Sequence, residues 1–189
     1  MIKVYIVTLL DYAWQIFKEP WLQKESLWMI LPLIIILIFM HLYFGRYRSE
    51  ELGWNSAFGN SISLLWILVL LSRFLFDKYT FQELYFGNQF SKLVAVGVLL
   101  IWVVIMFTFN FFHTLPKKLA FVISSAGSVY IFAYIVISLI VGNLMLGWDI
   151  FFASIILFFF FFLIIQLIKH LVPMSSSAKQ DLKMRKEKK

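Results

Sequence analysis

Residues 150–168 read IFFASIILFFFFFLIIQLI, with Ser154 and Gln166 the polar side chains among 19 positions. At ~1.5 Å of rise per residue, a helix of that length is about as long as a bilayer's hydrocarbon core is thick. Behind it come Lys169, Lys179, Lys183, Arg185, Lys186, Lys188 and Lys189. An apolar span that ends in such a cluster is oriented with the cluster in the cytoplasm. The fold follows from this reading: the chain is expected to live in lipid, and its other long apolar runs read as further spans.

Composition points the same way. Apolar residues make up 62% of the 189 and charged residues 14%, against roughly 45–50% and about 25% in soluble proteins. A soluble core of this size could not hide so much apolar surface. The 22 phenylalanines suit lipid-facing positions. A net charge of +7 would suggest nucleic acid in a soluble protein. Here much of it lies in the tail and short loops, where it sets orientation and meets anionic lipid heads, so no nucleic acid is expected as a partner. The absence of cysteine excludes disulfides, thiolate catalysis and cysteine-ligated metals.

Moving outward, the pattern predicts an all-α integral membrane bundle of five spans, at about 27–44, 57–76, 93–112, 119–141 and 150–168. Residues 1–25 precede the bundle of residues 26–172. Lys3, Asp11, Gln15 and Lys18 share a stripe opposite Ile2, Ile6, Leu9, Leu10, Ala13 and Phe17. That spacing predicts an amphipathic helix lying at the interface rather than a sixth span, the lesser alternative, with Tyr5, Trp14 and Trp21 as anchors and Glu19–Pro20 as its end. Ser26 is the expected N-cap of the first span, and Pro32 bends it. The basic tail, residues 173–189, is too polar to fold alone and is expected to be disordered.

With the tail inside, eleven of the 17 basic residues fall inside: Arg46, Arg48, Lys117, Lys118, Lys169 and six in the tail. Lys3, Lys18, Lys24, Arg73, Lys78 and Lys92 fall outside. The bias follows the positive-inside rule and puts the N-terminus outside. The lack of a cleavable signal and the Ile/Phe/Lys-rich composition favour a prokaryotic plasma membrane.

Chemistry is sparse. His41, His113 and His170 end the first, third and fifth spans on the expected cytoplasmic side, with Glu50 and Glu51 facing the same compartment. Together they are candidates for a metal or proton site, although no H-x-x-x-H spacing accompanies them. As plain helix-end residues, each would rest its polar tip among the headgroups. Asn60, Ser63, Arg73 and Asn110 are candidates for a polar cavity. The duller alternative is a hydrogen-bonded stripe between helices, with Arg73 snorkelling outward or paired with Asp77. Ser124 and Ser128, then Ser138 and Gly142, form two small-xxx-small pairs, a seam for close helix packing.

No G-x-S-x-G, intramembrane aspartate pair or glycine-rich phosphate loop is present, and no cofactor is expected. Neither GWNSAFGNS nor HTLPKK carries a family motif. The leading expectation is therefore a non-enzymatic membrane protein: a small subunit, assembly factor or scaffold with a membrane-protein partner or a second copy of itself. A transporter or channel-like protein for a small or lipophilic solute is the alternative. A membrane enzyme using the histidines with Glu50 or Glu51 comes third.

Overall fold

The computed structural model describes residues 2–50, 53–142, 144 and 146–187, with Ile2 and Lys3 described by their backbone alone. The described residues are mostly helical, without strands. The order is α1 (Ile2–Leu22), α2 (Lys24–Arg46), α3 (Trp54–Lys78), α4 (Phe81–Tyr85) and α5 (Phe90–Phe112). It continues with α6 (Lys117–Ile123), α7 (Ala126–Val141), α8 (Trp148–Leu171) and α9 (Ser176–Glu187). Five stretches are long and apolar enough to cross a membrane: α2, α3, α5, α6 with α7, and α8. This is an integral, multi-pass membrane protein.

The expected spans and the observed helices differ at informative places. α1 passes Glu19–Pro20 and stops at Leu22, because a proline in the last turn disturbs little of the ladder. Gln23 alone separates α1 from α2 and takes the N-cap position. Ser26, expected there, is buried in the first turn instead. Its hydroxyl donates to the carbonyls of Pro20 and Gln23, at 3.0 and 2.9 Å, and stitches the joint together. The loop after α3 contains α4, started by a capping box in which Thr80 and Glu83 each bond the other's backbone N–H. The fourth span is split at Ser124–Ser125. Serines compete for backbone hydrogen bonds, and Ser125 Oγ accepts from the Ser128 N–H at 3.2 Å, restarting the helix as α7.

The tail also differs from its expected disorder: residues 176–187 form α9. Ser175 starts the helix, its N–H donating to Arg46 O at 2.9 Å and its hydroxyl accepting from the Ala178 N–H at 3.2 Å. Ala178 is buried, and Ser49 Oγ donates to Asp181 at 3.3 Å. Composition describes a tail in isolation; this one has a docking place. Lys188 and Lys189 lie outside the described residues.

α7 is the central helix. Of the fourth span's apolar window 67% is buried in the protein, against 11% for α2. α3 and α5 pack side by side on one flank of α7, while α1, α2 and α8 gather on the other. α5 buries Val96, Leu99, Val103, Met106 and Asn110, at the three- and four-residue spacing of one helical face. Its opposite face leaves Val98 and Ile101 exposed, as lipid-facing residues should be. α1 lies against α8, Tyr5 bonding Asp149 at 3.2 Å and the Phe17 and Phe161 rings 5.8 Å apart. α5 and α8 barely meet, so a groove runs between them over α7.

Candidate functional site

The largest concentration of buried polar groups lies where α3, α5 and the α6–α7 break converge. Asn110 is its hub. Its Nδ2 donates to Ser61 Oγ and Ser124 Oγ, both at 2.8 Å, and Ser124 Oγ donates back to Oδ1 at 3.2 Å. Asn60 Nδ2 donates to the Ser124 carbonyl at 2.7 Å. The Tyr130 hydroxyl reaches Asn60 Oδ1 at 3.4 Å and Ser63 Oγ at 3.3 Å. The break itself frees backbone groups that lipid cannot satisfy. Asn60 takes up Ser124 O, and Ser128 Oγ donates to Val122 O at 2.7 Å. Among the described residues, no buried side-chain nitrogen or oxygen lacks a partner.

Of the polar-cavity candidates, Asn60, Ser63 and Asn110 therefore join one network, and Arg73 stands outside it. Arg73 is exposed, its Nε donating to Asp77 at 3.2 Å across one helical turn. Of the seam residues, Ser124 sits in the break and Ser128 in the first turn of α7, so no continuous helix relates them. Ser138 is buried and bonds Tyr134 O at 2.8 Å. At Gly142 an added Cβ would collide with the Glu19 side chain, so this end of the seam is a close contact with α1.

The three histidines are not brought together. His41 faces α7, its Nε2 3.2 Å from where a Cβ on Gly127 would lie. His113, in the left-handed region at φ 54°, ends α5 and stacks on Trp54 with ring centres 4.2 Å apart. His170 bonds Gln166 O through Nδ1 at 2.8 Å. Among the described residues no group of three potential ligands could hold a metal ion. Glu50 accepts from the Tyr43 hydroxyl at 2.7 Å. Glu51 lies outside the described residues.

Two features escape sequence reasoning. Lys92, expected in an outside loop, is buried in the first turn of α5. Its Nζ donates to Gly142 O at 2.7 Å and to the Tyr79 hydroxyl at 3.3 Å. Helix ends are the least legible boundary in a sequence, and α5 starts at Phe90, before the uninterrupted apolar run. The second is a pocket of about 230 Å³ near the end of α8, with His41, Glu50, Ser125, Gln166 and Lys169 among its walls. Its members come from four separate segments, and no local motif announces them. The chain matches no protein family, no curated protein and no solved structure.

Proposed function

We propose that this chain is a non-catalytic multi-pass membrane protein, a small subunit, assembly factor or scaffold of a larger membrane complex. The observation that carries the reading is the saturation of its buried polar groups. Asn60, Ser61, Asn110, Ser124 and Tyr130 spend their donors and acceptors on one another and on the broken backbone. Each buried side-chain nitrogen and oxygen of that cluster already has a partner within the protein, which favours a packing role over activation of a nucleophile or capture of a solute. Such bonds fix helices against one another, which is what a scaffold requires. The charge distribution supports an orientation with α9 in the cytoplasm and the N-terminus outside, and the Ile/Phe/Lys-rich composition favours a prokaryotic plasma membrane. The lysines and arginine of α9 then lie close to anionic lipid heads.

Purification of the tagged chain in mild detergent, followed by native mass spectrometry, tests the proposal. A second membrane protein at fixed stoichiometry, or a defined homo-oligomer, is the expected result. A lone monomer that moves a solute in liposomes would overturn it. The transporter alternative draws on one observation, the split fourth span, since discontinuous helices often mark solute sites. Its test is flux through Asn60→Ala and Asn110→Ala, the two side chains that meet at the break, which that reading requires to fall while the protein still folds.

A further inference from the structure

The groove over α7 has a floor and walls of one chemical kind. Toward its middle lies a cavity of about 580 Å³ formed by Val98, Trp102, Met106, Phe132, Phe158 and Phe159, among others. A second cavity of about 400 Å³ continues from it toward the start of α8, and the two share Val98, Phe132, Phe158 and Phe159. In the other direction, the middle cavity shares Val122 and Phe162 with the polar pocket of His41, Ser125, Gln166 and Lys169. The polar pocket and the two apolar cavities thus lie end to end, each sharing walls with the next. α7 alone rises about 24 Å over its 16 residues, most of a hydrocarbon core of ~30 Å.

We propose that this composite is a binding site for one phospholipid, with the phosphodiester at Lys169 and His41 and an acyl chain laid in the α5–α8 groove. The order of chemistry along the site matches the order along the lipid. Lys169 supplies a cation, and Gln166 and Ser125 supply hydrogen-bonding groups at the same rim. Glu50 stands on that rim as well, which fits a singly charged phosphodiester better than a doubly charged phosphomonoester. The groove suits a thin flexible chain rather than a partner helix. Close helix approach in lipid favours small residues, whereas Phe132, Phe158, Phe159 and Phe162 fill these walls. A partner helix would also leave the polar pocket without a complement.

The inference goes beyond the subunit reading and does not depend on it. The test uses the full chain, delipidated in detergent, exposed to palmitoyl-oleoyl phosphatidylglycerol and analysed by native mass spectrometry. One retained lipid per chain is expected. Lys169→Gln and Val122→Trp should each weaken retention at least tenfold, the first at the headgroup and the second by blocking the passage into the groove. Lys169→Arg should restore it, which separates loss of charge from misfolding; unchanged circular dichroism and melting temperature check the same point. No retained lipid, or equal retention by wild type, Lys169→Gln and Val122→Trp, overturns the proposal. Saturation by inorganic phosphate in place of lipid, unaffected by Val122→Trp, overturns it in favour of a free-phosphate pocket.

Discussion

Asn110 shows how much one side chain can hold in this protein. It lies at 2% exposure with Ser61 and Ser124 as partners on two other elements. Interhelical hydrogen bonds in membranes average about 0.6 kcal/mol each, with a maximum of about 1.7. Asn110→Ala removes its bonds to Ser61, Ser124 and the Ala57 carbonyl and leaves the buried Ser124 hydroxyl without them, so a loss of about 1–2 kcal/mol is expected. Denaturation in mixed detergent micelles would measure it, and an unchanged midpoint would mean that the network is ornamental. Glu83 offers a residue-scale pH effect. The Thr80 backbone N–H and then its hydroxyl donate to the Glu83 carboxylate and hold its pKa below the ordinary value. A lowered folded-state pKa stabilises the ionised form. The cap's contribution is thus complete above the unfolded value of about 4.3 and fades as pH falls through the folded one. Amide exchange over residues 80–86 should stay flat from pH 7 to 5, once corrected for intrinsic rates, and accelerate below 4. Equal protection at pH 7 and at pH 3 would remove the carboxylate from the account.

Among the elements, α2 and α8 meet through a glycine. A Cβ on Gly45 would sit 2.8 Å from Val172 Cβ and 3.0 Å from Lys169 O. Gly45→Ala should therefore push the helix ends apart and cost about 1–3 kcal/mol as overpacking, read as a lowered melting temperature; a neutral result would mean that Val172 yields freely. The elements also show what a sequence can tell. The five spans were legible because length and apolarity are properties of a segment alone, as in 150–168. The split at Ser124–Ser125 was not. Two serines in an apolar helix usually bond back to the preceding turn, and here Asn60, reaching across from α3, joins Ser128 in making departure from the helical path tolerable. The docking of α9 was equally hidden, since it depends on Arg46, Ser49 and a carbonyl exposed by the end of α2. In the candidate site, Asn60, Ser63 and Asn110 were legible as polar exceptions in apolar runs. Lys92 and Lys169 were not, because charged residues near helix ends look the same whether they face solvent or a pocket.

For the whole molecule, Arg48 is the fastening at one end. Its Nη2 lies 3.0, 2.7 and 2.9 Å from the carbonyls of Lys169, His170 and Val172, a positive charge on the C-terminus of α8. Arg48→Ala should loosen α8, and α9 with it, so limited trypsin digestion should cut at Lys179 and Lys183 several-fold faster than in wild type. Unaltered cleavage would show that Ser175 and Ala178 alone retain α9. The central position of α7 carries a consequence for birth rather than for stability. α2 and α3 barely meet each other, and both lean on α7, which leaves the ribosome long after them. Nascent α3 and α5 can pair through Asn110 and Ser61, but α2 stays apart from them, and Asn60 lacks its Ser124 partner, until the fourth span arrives. A chain arrested before residue 126 should remain in crosslinking distance of the insertion machinery, whereas one arrested beyond α8 should have left it as a closed bundle.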